Sequence, residues 1–198
     1  EGGLLELIVF MVEHPVAVLG HFDEASLQLP AALLSMVLKN QLYFFPVLAA
    51  DGSLTADFIG VRDGVSEGQR EVQTGFERVI AARLADARFF FKRDRETRLA
   101  YHAKKLSGVS FQKGLGSMAD KTERVAQLSD WLALAVLQDR AVDGSAVATA
   151  ARLVYADLVT GVVGEFPELQ GVMGGVYARA EGLDEKVALS LEQFYQPT

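Results

Sequence analysis

Residues 83–105 hold Arg83, Arg88, Lys92, Arg93, Arg95, Arg98, Lys104 and Lys105, opposed only by Asp86, Asp94 and Glu96. The whole chain carries a net charge of −7, so this basic run is a local feature and not the signature of a non-specific polyanion binder. At 100° per residue along a helix, Arg78, Arg88 and Lys92 fall opposite Phe76, Ile80, Leu84 and Ala87, and Arg95 lies close to Arg88 and Lys92. Cations at matched spacing on a rigid element suit a row of phosphates, because each neutralised phosphate releases counterions. Lys104 and Lys105 extend the row. Arg78, Arg88, Lys92, Arg95, Lys104 and Lys105 are therefore the candidate nucleic-acid contacts. The same pattern also describes a solvated helix face laced with intrahelical ion pairs. Arg83 falls within the apolar face, where a buried charge must be matched, so a structural ion pair or hydrogen-bonded cap is expected there.

Other constellations carry less chemistry. Gly114-Leu115-Gly116-Ser117 precedes a helical stretch with Lys121-Thr122 inside it, but a phosphate-binding loop needs Gly-Lys-Ser/Thr adjacent. Ser117 with Asp120 three residues on is instead a helix cap. Glu165 and Glu168 are spaced for acid–base work. They are equally explained by a helix end at Phe166-Pro167 and a new start favoured by the carboxylate of Glu168. Asp157 sits in an apolar stretch and reads as a satisfied core carboxylate. Tyr177 and the single Trp131 read as core residues and not as base-stacking platforms. The chain has no cysteine, which excludes disulfides and thiolate metal sites.

The elements that must position these residues follow from periodicity. Residues 4–12 read as an apolar helix broken at His14-Pro15. Residues 16–22 read as a strand, and 27–41 as a helix with Pro30 in its first turn. Two β-rich runs, 42–48 and 54–61, flank Asp51-Gly52 and predict a hairpin, with Pro46 placing its first strand at an edge or bulge. Helical spacing then runs through Phe76, Val79, Ile80, Leu84, Ala87 and Phe91. Residues 109–117 read as a break. A helix follows through Val125, Leu128, Leu132, Ala135 and Val136 to about Gln138. Residues 146–163 are apolar nearly all round, which predicts one buried helix. A polar turn at 181–185 leads to a last helix over 186–195. With 198 residues, half of them hydrophobic, the chain can build one large or two small cores. No apolar run is long enough to span a bilayer, and 4–12 lacks a signal peptide's flanks. A soluble cytoplasmic protein is the default expectation.

The most particular string is Ala156-Asp157-Leu158-Val159-Thr160-Gly161-Val162-Val163-Gly164-Glu165-Phe166-Pro167-Glu168-Leu169-Gln170-Gly171-Val172-Met173-Gly174-Gly175-Val176-Tyr177-Ala178. It resembles the signature of the beta subunit of bacterial-type, heterotetrameric glycyl-tRNA synthetase. Glu77-Arg78-Val79, Ala82-Arg83-Leu84, Asp86-Ala87 and Phe89-Phe90 match a second string of that family. Phe111-Gln112, Leu115-Gly116 and Asp120-Lys121-Thr122-Glu123-Arg124 match a third. Weaker elements lie at Glu13-His14-Pro15-Val16 and Gln41-Leu42-Tyr43-Phe44. The resemblance covers essentially the whole chain. Phe76 stands where Asn is usual, Leu42 where a basic residue is usual, and Arg62-Asp63-Gly64 replaces Ser-Asn-Gly.

The family's subunit is several times longer, so the chain is expected to be an internal part of it. The resemblance implies a helix-dominated α+β fold: an α+β segment, 1–95, similar to a piece of an editing-type module, then an all-helical domain, 96–198, similar to the HD phosphohydrolase fold. It implies a role in glycine–tRNA ligase, with tRNA, the alpha subunit and the remaining beta-subunit domains as partners and no membrane. ATP and magnesium belong to the alpha subunit, which activates glycine, so no cofactor is expected in this chain. Two alternatives stay open. A metal phosphohydrolase of HD type needs a His-Asp pair and further ligands, but His14, His21 and His102 are far apart and none precedes Asp. A structural spacer would make only interdomain or intersubunit contacts.

Overall fold

Antiparallel pairing of an edge-protected hairpin with one further strand organises the first half of the chain. In the computed structural model, which describes residues 2–65, 67–136 and 142–196, the fold is α+β and dominated by helix. Two compact units divide at residue 89, within one long helix: 1–89 and 90–198.

In the first unit, helix α1 (Gly2–Met11) leads to strand β1 (Pro15–His21). A 3-10 turn (Glu24–Gln28) capped by Asp23 follows, then α2 (Ala31–Met36), whose entry is set by Pro30 and which widens into a π turn (Val37–Gln41). Strands β2 (Phe45–Leu48) and β3 (Leu54–Asp63) form the hairpin expected around Asp51-Gly52. The sheet order is β1-β3-β2, so Pro46 lies on an edge strand, beside a register irregularity. That position spares the missing N–H of proline. Phe58 of β3 is fully buried and stacks on Phe44 at 4.6 Å, with Phe76 at 4.9 Å from Phe44. Helix α3 (Gln69–Arg95) thus lays the face of Phe76, Ile80 and Leu84 into this core. Val79, expected on the same face, is 48% exposed. Helix α1 leaves Leu5, Leu7, Val9, Phe10 and Met11 exposed.

The second unit contains the end of α3, then α4 (Leu99–Lys105) and a short hairpin, β4 (Ser110–Gln112) with β5 (Gly116–Ser117). The stretch expected as a plain break is thus a two-stranded ribbon. Helix α5 (Met118–Trp131) begins with a complete capping box between Ser117 and Asp120 and ends in a π turn (Leu132–Val136); Gln138 lies outside the described residues. Helix α6 (Gly144–Leu153) is capped by Asp143.

The single helix expected over 146–163 is not observed. It breaks after Leu153 into a 3-10 turn (Ala156–Val159) and a separate α7 (Gly161–Glu165). The break lets Asp157 turn inward and Thr160 cap α7, since its hydroxyl faces the Val163 amide. Helices α8 (Val172–Ala180) and α9 (Glu185–Gln193) complete the bundle, with α8 packed on α9, α5 on α6 and α6 on α9.

Trp131, expected in the core, is 56% exposed, and Leu128, Leu132 and Leu134 are exposed with it. Helix α5 buries Met118, Thr122 and Ala126, a narrower stripe than its composition suggests. Tyr177 is buried, as expected.

Candidate nucleic-acid interface

The basic run surrounds one buried acid. Asp94 lies among Lys92, Arg93 and Arg95 near the end of α3, yet is itself buried while its three cationic neighbours are exposed. Its Oδ1 accepts from the Gly161 amide at 2.7 Å, and its Oδ2 from the Val162 amide at 2.9 Å and the Tyr177 hydroxyl at 2.8 Å. Three donors offset the desolvation of the charge. Burial first, then the charge of Asp94, pushes the Tyr177 phenol far above its usual range, so it stays a donor. Glycine at 161 makes the approach possible: a Cβ there would lie 2.8 Å from the Phe90 ring and 3.3 Å from Asp94 Oδ1.

The carboxylate therefore fastens α3 to α7 and α8 and fixes the direction in which the adjacent cations leave the helix. A second internal acid, Asp157, is buried as expected. Its Oδ2 accepts from the Gly171 amide at 2.6 Å and the Gly174 amide at 2.9 Å, while Oδ1 has no partner among the described residues. Burial raises its pKa to about 6.

Lys92, Arg95, Lys104 and Lys105 are all exposed on the second unit. Arg95 lies 5.4 Å from the Phe91 ring centroid and Lys105 5.3 Å from that of Tyr101, contacts that hold each cation without neutralising it. The ion pairs among the described residues involve His21, Arg152, Arg179 and Lys186, and none of these four cations. In the first unit, Arg78 is exposed.

Arg88 is exposed, but the face expected for it is corrected: eight residues beyond Ile80 it lies about 80° round the helix and not directly opposite. There its Nη2 donates to the Ser26 hydroxyl at 2.8 Å, and Ser26 is buried. Arg83 is corrected too. It is exposed, because it lies on the margin of a stripe that closes around Ile80, Leu84 and Ala87. The glycine loop before α5 is a cap: Ser117 N and Oγ both donate to Asp120 Oδ2 at 2.7 Å. Among the described residues no three His, Cys, Asp or Glu side chains are grouped to hold a metal ion.

Two residues outside the candidate set lie beside it. Arg93 and the buried His102 line, with Lys105, a cleft of about 400 Å³ whose other wall is Val159–Gly161. Arg93 is visible in the sequence as one of the basic run. His102 carries no sequence signal, since the opposite wall of its cleft, Val159–Gly161, comes from a distant segment.

These features define a helix-dominated α+β protein with a basic, acid-anchored surface, and comparison with known proteins gives that class its family. The sequence profile of the family described as glycyl-tRNA synthetase beta subunit matches residues 1–198, and the chain belongs to this family. The glycine–tRNA ligase beta subunit of Oleidesulfovibrio alaskensis is 45% identical over 194 residues, covering 98% of this chain and 27% of that protein. That of Phenylobacterium zucineum is 43% identical over 199 residues, covering 100% and 30%. That of Anaeromyxobacter dehalogenans is 40% identical over 194 residues, covering 98% and 27%. The chain thus spans less than a third of the length of these curated relatives. No helix among the described residues is long and apolar enough to cross a membrane.

Proposed function

We propose that the chain acts within glycine–tRNA ligase as the part of the beta subunit that binds and positions tRNA. The alpha subunit activates glycine with ATP and magnesium, in the cytoplasm. On this reading 1–95 is an α+β segment like a piece of an editing module, and 96–198 is an HD-like helical domain without its metal chemistry. The observation that supports it is the set Lys92, Arg95, Lys104 and Lys105, exposed and outside every ion pair among the described residues. Solvated ion pairs within the helix, the other explanation of the basic run, are not what holds them. Arg78 and Arg88, both exposed, are further contacts on the first unit, Arg88 while also bonded to Ser26.

The test is fluorescence anisotropy of tRNA with the purified chain at two salt concentrations. Lys92→Ala/Arg95→Ala/Lys104→Ala weakens binding and makes the salt dependence shallower by about two units, at roughly 0.7–0.9 for each phosphate no longer neutralised. Lys113→Ala, an exposed lysine on the hairpin, serves as the control. Unchanged affinity and slope in the triple variant favour the second reading, a structural spacer. That reading has its own support in the apolar residues exposed along α1 and around Trp131, which suit protein contacts.

A further inference from the structure

We propose that Tyr101 of α4 is a stacking platform for one unpaired base of RNA, whose flanking phosphates lie on Arg98, Lys104 and Lys105. This rests on the tRNA reading and narrows it to a single-stranded element of the tRNA.

Tyr101 is 56% exposed. A ring so placed leaves apolar surface in water that a partner would cover. Its surroundings say which partner. At 100° per residue, Arg98, Lys104 and Lys105 fall within about 60° of Tyr101 around the axis of α4. The buried residues Leu99, His102 and Leu106 lie about 100° or more away. The ring therefore stands at the middle of the outward face, among three exposed cations. None of the three joins an ion pair among the described residues.

The acids of this surface do not cancel its charge. Residues 92–105 hold six cations against Asp94 and Glu96, and α4 itself contains no acid. Glu181, which accepts from the Leu99 amide, and the buried Asp157, in the 3-10 turn packed on α4, add two more. With all four acids counted as charged, two positive charges remain.

Lys105 Nζ lies over the Tyr101 ring, and no aromatic ring stacks on Tyr101 among the described residues. Phe91 differs: Arg95 lies over it and the buried Tyr177 stacks on it at 5.9 Å. Phe91 is used inside the protein, and Tyr101 is not. A duplex hides its base faces in its own stack and presents phosphates and groove edges. An unpaired nucleotide presents a phosphate and a free π-face side by side. Cations alone suit either form, whereas a ring set among them suits the second.

The experiment titrates the purified chain with fluorescent octauridylate, a long RNA duplex and tRNA. Tyr101→Ala weakens octauridylate about tenfold, the scale of one lost base stack, and leaves the duplex unchanged. Tyr101→Phe keeps the parent's affinity, since the ring and not the hydroxyl is used. Arg98→Gln/Lys105→Gln, at two exposed positions, weakens all three RNAs and makes their salt dependence shallower. An equal loss on octauridylate and duplex in Tyr101→Ala overturns the proposal, because it marks the ring as part of the fold. Unchanged affinities in Tyr101→Ala, with tRNA still bound by the parent, sink the stack and leave the tRNA reading standing. No tRNA binding by the parent chain sinks both.

Discussion

The Tyr177 hydroxyl donates to Asp94 Oδ2 at 2.8 Å, across 83 residues of chain, and both residues are buried. The phenol is one of three donors on that carboxylate, so its loss weakens the joint without emptying it. Tyr177→Phe is expected to lower stability by about 1.5–3 kcal/mol, the worth of a hydrogen bond to a charged group. Asp94→Ala should be worse, since two amides and the phenol then lose their partner. Urea unfolding at constant m-value reads both. A Tyr177→Phe midpoint equal to the parent's would show the bond to be dispensable.

Leu84→Asp should unfold the first unit or destabilise it severely. Leu84 is 2% exposed on the inward stripe of α3, and an unpaired carboxylate there costs several kcal/mol, at about the scale of the largest single-residue effects. Thermal melts monitored by circular dichroism check this. A melting temperature within a few degrees of the parent's would contradict the placement.

Asp157 gives stability a pH dependence of known sign. Burial raises its folded pKa from an ordinary 3.8 to about 6, so the folded state holds the proton more tightly than the unfolded chain. The resulting stabilisation is complete below 3.8 and lost as the pH rises through about 6. Asp157→Asn keeps an oxygen for the two amides and cannot ionise. Between pH 4 and 7 the parent should therefore lose stability relative to this variant, by on the order of 3 kcal/mol. A difference that stays flat with pH would remove Asp157 as the source.

Arg88 and Arg78 should behave oppositely. Arg88→Ala strips the buried Ser26 hydroxyl of its partner and costs about 1 kcal/mol. Arg78→Ala, at an exposed site, should stay within about 0.5 kcal/mol. Binding of tRNA should respond to Arg78 more than to Arg88.

Hydrolysis of nucleotides or phosphodiesters is not expected from this chain, with or without manganese, because its described acids and imidazoles do not gather into a metal-holding set. Stoichiometric binding of a transition metal, with turnover lost on chelation, would reverse this.

Local chemistry was legible where a few adjacent residues decide it. Asp51-Gly52 announced the hairpin, Pro46 its edge, and Ser117 with Asp120 the start of α5. Legibility failed where burial is nearly uniform. Around Val154, Tyr155 and Ala156 every side is covered, so apolar periodicity cannot mark a helix end. The end is set by Asp157 and Thr160 through partners that no window of sequence contains. Trp131 misled for the converse reason, since composition alone does not say whether an apolar face is covered. The cations were legible as a run, but not the rotation that withdraws Arg88 toward Ser26, nor the cleft, whose walls at Arg93, His102 and Thr160 come from three separate elements.

Asp157, Gly171 and Gly174 have a consequence for how such a sequence drifts. Gly171 holds φ +84°, and a Cβ there would meet the Tyr195 ring at 2.9 Å and the Leu191 carbonyl at 3.1 Å. At Gly174 the same atom would lie 3.3 Å from the Asp157 carboxylate. A lineage that gains a side chain at 171 has already displaced a donor from the acid. One that loses the acid leaves two buried amides stranded. Each single change at this corner is therefore expected to cost stability, and the three residues act as one unit.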